Sequence, residues 1–139
     1  MGDDLVPFLG HWVLDPARSA YTGGTPPRSG HYDLRLEGDR LVVSIEGVLG
    51  SGDPIRTGYA LDLWQDTPMS VGAVDRVRTV VEPRRFCTIA YAGAQAVARA
   101  WRILGSLDEM TIVQSAPDHF GVWRDDVSVY RRQFQSRWS

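Results

Sequence analysis

The sequence contains no lysine, and all 15 of its basic residues are arginines. Without lysine the chain cannot form a Schiff base with a carbonyl substrate, anchor pyridoxal phosphate or supply the lysine of a P-loop. Asparagine is also absent, so the sequence offers no acceptor for N-linked glycosylation. These absences exclude lysine-dependent catalysis and leave a set of cations made of arginine alone.

Cysteine occurs once, at position 87. A single cysteine cannot form an internal disulfide or a thiolate metal cluster, which fits a reducing compartment. Cys87 lies within the stretch Arg85–Ile89, whose residue pattern predicts a strand. We therefore interpret it as a buried structural thiol rather than a nucleophile.

Long hydrophobic runs and runs of like charge are missing as well. No stretch approaches the length of a transmembrane helix, and the acidic start Met1–Asp4 lacks the apolar core of a signal peptide. The net charge of −2 gives no reason to expect nucleic acid. We expect a cytoplasmic protein with neither a nucleic-acid nor a membrane partner.

The composition is that of an ordinary globular domain. Hydrophobic residues make up 43% and charged residues 23% of the 139 positions. A chain of this length forms one domain, residues 1–139, that can bury about two-thirds of its unfolded surface.

Alternation of apolar and polar residues with regularly spaced turn signals dominates the chain from residue 30 onward. This pattern predicts an all-β sandwich or barrel, and no helix of useful length. We count nine strands, or ten if residues 65–75 include a short strand around Met69–Val71. Consecutive hairpins close most economically into an antiparallel up-and-down barrel, with an open β-sandwich as the alternative. The predicted strands are Gly10–Leu14, His31–Leu36, Leu41–Val48, Ile55–Leu63, Arg76–Val81, Phe86–Tyr91, Ala96–Leu104, Met110–Ser115 and Val127–Gln133.

The first predicted strand opens with Gly10-His11-Trp12 and stops at Asp15-Pro16, and the last ends near Arg131-Arg132. A first-strand Gly-x-Trp with a late arginine resembles the lipocalin-like (calycin) barrels. The wider run, with Leu14-Asp15-Pro16, Ser19, Pro26-Pro27 and Ser29, is similar to small bacterial lipocalin-like proteins, most of them without an assigned function. The resemblance implies that Trp12 plugs the closed end, that an arginine, preferably Arg132, lies across its ring, and that the loop 15–29 folds over an open mouth.

Alternation also predicts which side chains enter the barrel. A barrel interior is lined by every second residue of each strand. The predicted ligand-binding residues are Leu34, Val43, Leu61, Val81, Tyr91 and Trp101, and the predicted polar groups beside them are Tyr32, Tyr59 and Arg99.

The segment Ala96–Leu104 carries one arginine on each face, so either face brings a cation inside. Arg99 shares its face with Trp101, which favours that face as the interior one, while Arg102 lies on the other. An interior arginine suits a carboxylate, an enolate or a carbonyl oxygen. The alternative is that both guanidinium groups extend from the strand ends into water.

The histidines show no metal-ligand spacing, so no metal site is predicted. His31 and Asp33 lie two residues apart on the outer face, where a surface ion pair is expected. His119 belongs to the aromatic loop 116–123. With nine strands this loop lies at the end opposite the loop 15–29, and a hidden strand near residue 70 reverses that assignment.

The leading functional hypothesis is the binding of a small hydrophobic molecule, apolar or aromatic, in the barrel cavity. The alternative is a cofactor-independent enzyme, a cyclase or isomerase of secondary metabolism, with Arg99, Tyr59 and Tyr32 as catalytic groups. A third possibility is a barrel filled by its own side chains. No cofactor is predicted, and formation of a homodimer is left open.

Overall fold

The computed structural model describes residues 2–22 and 25–133. After a short helix α1 (Gly2–Leu5) and a 3₁₀ turn (Val6–Phe8), all regular structure is β. No helix in these two ranges is long and apolar enough to cross a membrane. The ten strands are β1 (Gly10–Tyr21), β2 (Ser29–Glu37), β3 (Arg40–Val48), β4 (Pro54–Asp62), β5 (Thr67–Val71), β6 (Val74–Glu82), β7 (Arg85–Ala92), β8 (Gln95–Ser106), β9 (Glu109–Pro117) and β10 (Trp123–Gln133).

Each strand pairs antiparallel with its neighbour in the chain, except that β4 and β5 are not hydrogen-bonded to each other. β1 pairs with β10 and so joins the two halves of the chain into one sheet, with β4 and β5 at its two ends. The result is a nearly closed up-and-down barrel, which confirms the predicted fold. The short strand suspected near Met69 is β5.

β1 is longer than predicted, because Asp15-Pro16 does not end it. The pairing with β10 runs to Asp15 and resumes at Ala20, so an irregularity absorbs the proline, which has no donor for the ladder. The Ser19 hydroxyl holds this irregularity together, since it donates to the Asp15 carbonyl (2.9 Å) and accepts from the Val129 amide (3.1 Å). The predicted long loop therefore shortens to the connection between Tyr21 and Ser29.

The even number of strands decides where the loops lie. With β5 present, the β1–β2 connection and the β9–β10 loop (118–122) lie at the same end of the barrel, together with the β3–β4, β5–β6 and β7–β8 turns. We call this end the mouth and the opposite one the closed end. The nine-strand assignment of the aromatic loop to the far end is thus wrong.

Trp12 plugs the closed end, as the resemblance implied. Its side chain is 0% exposed, and its indole nitrogen donates to the Phe8 carbonyl (2.8 Å). The Arg132 guanidinium lies 4.3 Å from the centre of the indole ring and donates to the carbonyls of Leu9 (2.7 Å) and Leu107 (2.7 Å). Gly10 adopts a φ of 120° and leaves room for this arginine, since a Cβ there would lie 3.2 Å from it.

The buried core surrounds this plug. Phe8 and Phe86 meet edge to face, with ring centres 4.8 Å apart. The fully buried side chains of the core also include Leu5, Trp12, Leu34, Leu41, Val43, Leu61 and Met110. The closed end is therefore packed solid, and any free space in the barrel must lie towards the mouth.

We expect Trp12→Ala to lower the free energy of unfolding by about 3–5 kcal/mol, because it removes a fully buried aromatic ring. Trp64→Ala should change it far less, since that side chain is 69% exposed. Denaturant unfolding of the two variants measures the difference. Equal, small effects would contradict the role of Trp12 as a plug. The other tryptophan considered as a comparison, Trp138, lies outside the described residues.

A double-mutant cycle of Trp12 with Arg132 should show a coupling of about 0.5–2 kcal/mol, the range of a cation–π contact. The matched cycle with Arg131 should show none, because that side chain points outward and pairs with Asp15 (3.2 Å). Thermal or denaturant unfolding of the single and double variants provides the numbers. Coupling to Arg131 instead would mean that the last strand is out of register.

Candidate functional site

The barrel encloses a cavity of about 1070 Å³ that opens at the mouth. Its walls are mainly apolar, and its polar residues gather at the floor and at the rim. Apolar side chains come from β4, β5 and β6, small ones from β7 and β8, and polar ones from β4, β7 and β9. In that order the wall residues are Leu61, Met69, Val71, Val74, Val77, Ala90, Ala98, Ala100, Thr57, Tyr59, Thr88 and Gln114.

Alanines create this space. Ala90 and Ala98 face each other across β7 and β8, and Ala100 follows two residues later on the same face. Each is too small to reach the opposite wall, so the upper half of the barrel stays open while the closed end is filled by large side chains. The idea of a barrel filled by its own side chains does not match the structure.

Arg102, not Arg99, is the arginine inside the barrel. Arg102 is only 3% exposed and lies in register with Phe86 and Ile112, both buried. Arg99 is exposed at the rim of the cavity, with its guanidinium 5.2 Å from the Trp123 ring. The expectation that Arg99 brings a cation into the interior is therefore wrong. The pairing of β8 with β7 and β9 turns the face that carries Arg102 towards the interior and the face that carries Arg99 outward.

All five N–H donors of the Arg102 guanidinium have acceptors in the protein. Nε and Nη2 donate to the Tyr32 hydroxyl (3.3 and 3.0 Å), and Nη2 also donates to the Tyr59 hydroxyl (3.2 Å). Nη1 donates to the Thr88 hydroxyl (2.5 Å) and to the Ala100 carbonyl (3.1 Å). Every partner is electrically neutral, so the hydrogen bonds are complete while the charge is not compensated.

No carboxylate pairs with Arg102 in the part of the chain that the structure describes; the ion pairs found there all involve other residues. Burial disfavours the charged guanidinium, but the phenolic oxygens of Tyr32 and Tyr59 outweigh this effect and raise the pKa of Arg102. The side chain is therefore a permanent buried cation, a costly feature that proteins retain only with compensation.

Two tyrosines near the floor hold their protons more tightly than usual. Burial raises the pKa of Tyr59 well above its ordinary value, the nearby Tyr32 adds to this, and Arg102 opposes it. Burial likewise raises the pKa of Tyr130, whose ring packs edge to face against that of Tyr32 (5.6 Å). At neutral pH both phenols therefore keep their protons and do not act as bases.

The structure brings some of the residues named from the sequence together and separates others. Tyr32 and Tyr59 meet at Arg102. Among the aliphatic candidates, Leu61 lines the cavity, Leu34 and Val43 belong to the packed core, and Val81 lies against that core.

Tyr91 and Trp101 point away from the cavity and are covered by arginines on the outer surface. Arg76 and Arg78 lie 4.5 and 5.5 Å from the Tyr91 ring centre, and Arg85 lies 4.9 Å from that of Trp101. An aromatic residue on a strand need not face inward when a cation on the neighbouring strand can cover it. Because these arginines shield the two rings from water, Tyr91 and Trp101 lie on the outer face, and the prediction that they face the interior is wrong.

The sequence reasoning named Arg102 only as the arginine of the less favoured face, and it did not assign Thr88 or the three alanines of the cavity wall to the site. A signal was present in Ala98-x-Ala100-x-Arg102, where small residues lead along one face to a single arginine. On β8 such a face leaves space above a polar group, whereas the opposite face carries bulky Trp101 and Ile103.

The histidines lie outside the cavity. His11 Nδ1 is 3.0 Å from an Asp33 oxygen on the outer surface, so His11, directly opposite in register, takes the place predicted for His31. His119 is exposed in the β9–β10 loop. Across residues 2–22 and 25–133, no group of three or more histidine, cysteine or acidic residues is arranged to hold a metal ion.

Several solved β-barrel structures share the fold of this chain at low sequence identity. Secretory abundant heat soluble protein 4 from Ramazzottius varieornatus aligns with a TM-score of 0.63 at 13% identity, over 92% of this chain and 96% of that one. Zebrafish ileal bile acid-binding protein complexed with cholic acid aligns with a TM-score of 0.61 at 10% identity, over 92% and 100%. A fatty acid-binding protein from the brain of Drosophila melanogaster gives 0.57 at 13%, over 89% and 98%.

Comparisons of sequence add nothing to this. No protein-family model matches the chain, and no curated protein matches it significantly. At 10–14% identity the structural likeness shows the fold, which is the lipocalin-like (calycin) barrel expected from Gly10-x-Trp12.

The Tyr59 phenol should make stability sensitive to alkaline pH. The folded chain holds this proton above the ordinary tyrosine pKa of about 10, at which the unfolded chain releases it. The stabilisation is thus complete below about pH 10 and is lost as the pH rises further. As the pH rises above about 10, we expect Tyr59→Phe to lose less stability than the wild type, measured by denaturant unfolding at several pH values. Identical pH profiles would contradict the raised pKa.

Proposed function

We propose that this protein binds a small, mostly apolar molecule in the barrel cavity. The observation that carries the proposal is the cavity itself, about 1070 Å³, open at the mouth and walled by aliphatic side chains and alanines. Ligand pockets of small molecules typically have volumes of this order and walls of this kind, with a few polar groups that fix orientation.

The available binding energy is sufficient. Burial of a methylene group is worth about 0.8 kcal/mol, so a ligand with about ten such groups gains about 8 kcal/mol. Part of this gain is lost to the cost of association. Micromolar affinity therefore requires good filling of the cavity and no special chemistry.

The names of two of the similar structures support the same function, because each names a ligand. One is a bile acid-binding protein with cholic acid bound, and another is a fatty acid-binding protein. Both share the fold of this chain, although their sequences differ from it at about nine positions in ten.

Catalysis by a cyclase or isomerase remains a prediction from the sequence. An isomerase that moves a proton needs a group that accepts it near neutral pH. The Tyr59 phenol at the cavity floor holds its proton too tightly for this, and Arg102 is permanently charged. We therefore propose binding without turnover as the primary function.

A bulky residue in the cavity should abolish binding. We expect an environment-sensitive apolar dye to bind the wild type with a stoichiometry of one, and Ala98→Phe to weaken that binding at least tenfold because the new ring occupies the cavity. Val80→Phe is the matched control, since Val80 lies on the outer face and is exposed. Fluorescence titration measures both.

Two results would contradict this proposal. Absence of dye binding to a folded wild type would mean that the cavity does not take ligands. Equal loss of binding in Ala98→Phe and Val80→Phe would mean that the dye binds elsewhere or that the substitutions disturb the whole barrel.

A further inference from the structure

We propose that the ligand is an amphipathic carboxylic acid, whose carboxylate accepts hydrogen bonds from the Tyr59 and Thr88 hydroxyls at the cavity floor. Arg102 lies behind these hydroxyls as a positioning residue and does not contact the ligand. The inference rests on the proposed function and names the chemical class of its ligand.

The saturation of Arg102 is the first step. Its five N–H donors are all used by protein acceptors, so none remains for a ligand. Tyr59 and Thr88 accept from the guanidinium, and both line the cavity. A hydroxyl that accepts one hydrogen bond still has its own proton to donate. The Thr88 proton is therefore available to a ligand acceptor, whereas the Tyr59 proton is shared with the neighbouring Tyr32 oxygen and turns to the ligand when a stronger, charged acceptor arrives. The cation behind the two hydroxyls strengthens both as donors.

The missing countercharge is the second step. The Arg102 cation is buried among neutral partners. A negative charge on the far side of one of these hydroxyls would therefore be attracted to the guanidinium. A carboxylate supplies that charge together with acceptor oxygens. An alcohol or an ester of the same chain supplies acceptor oxygens without the charge.

Thr79, on the strand beside Thr88, carries an unpartnered polar group behind the cavity wall. It lies directly opposite Thr88 in the pairing of β6 with β7. Its hydroxyl is buried and has no hydrogen-bond partner in the chain as described. Such a group costs free energy unless something pairs with it.

The arrangement also sets the direction of binding. Polar donors lie at the floor, whereas Met69, Val71 and Val74 line the wall towards the β5–β6 turn at the mouth. The acid therefore enters head first and its apolar chain extends towards the mouth.

The test compares a ten-carbon carboxylate with its primary alcohol and its methyl ester, by displacement of the apolar dye and by calorimetry. We expect the wild type to bind the acid about tenfold or more tightly than either neutral probe, the scale of a hydrogen bond to a charged group. Tyr59→Phe and Thr88→Val should each lose most of that preference and keep their affinity for the alcohol within about threefold.

Tyr59→Phe separates the relayed contact from a direct ion pair. If the carboxylate contacted Arg102 itself, loss of the Tyr59 hydroxyl would release one N–H and the preference for the acid would persist or grow. That result overturns the positioning role of Arg102. Tyr91→Phe, a tyrosine on the outer face, is the matched control and should behave as the wild type.

Arg102→Met tests the buried charge. This variant should bind acid and alcohol alike. In the absence of ligand it should melt no lower than the wild type, because an uncompensated buried cation is replaced by an apolar chain of similar length. The acid should raise the melting temperature of the wild type and leave that of the variant nearly unchanged. If Arg102→Met does not fold, Tyr59→Phe and Thr88→Val still decide the question.

The outcomes separate this inference from the proposed function. Binding of the alcohol and ester as tightly as the acid would overturn the inference and leave the apolar cavity intact as a binding site. Failure of the dye and of all three probes to bind the wild type would overturn both.

Discussion

The contact of Arg132 with Trp12 joins the two ends of the chain, and the barrel depends on it. β1 and β10 are the first and last strands, and only their pairing converts two runs of hairpins into one curved sheet. The guanidinium covers the indole ring and also donates hydrogen bonds to carbonyls of the segment that precedes β1. It therefore connects the Trp12 plug, the N-terminal turn and the last strand. Because the closed end is solid, the upper half of the barrel can remain empty without collapsing.

Arg132 at the base and Arg102 in the interior illustrate how the surroundings of an arginine side chain decide its role. Arg132 satisfies its donors with backbone carbonyls and an aromatic face at the base. Arg102 donates its hydrogen bonds mainly to hydroxyl groups, and a hydroxyl that accepts a hydrogen bond can still donate one. Within the described residues, the hydrogen bonds of Arg132 go to backbone carbonyls only, and they contribute to stability. The arrangement around Arg102 borders the cavity and leaves a buried charge without a countercharge among the residues described, which lowers stability.

Alternation and turn spacing were enough to predict the barrel, because a half-buried strand shows its faces through period two. They could not show which face of β8 lines the interior, because each face carries one arginine and several apolar residues. The pairing of Arg102 with the buried residues Phe86 and Ile112 on the neighbouring strands shows that Arg102 points inward. Proline was a poor guide in β1, since an irregularity stabilised by Ser19 lets the strand continue past Pro16. Outer aromatic residues such as Trp101 were misread because a covering arginine belongs to another strand.

The break between β4 and β5 makes the barrel a curled sheet with two free margins rather than a continuous tube. A closed ladder can widen only by breaking hydrogen bonds, whereas a curled sheet widens by uncoiling slightly while every bond is kept. The line along which such a sheet would uncoil runs between β4 and β5, beside Tyr59 and Met69. Proline at position 54 and again at 68 removes amide donors from these two margins, which protects them from pairing with another chain. A barrel with such a break can therefore change its width at little energetic cost.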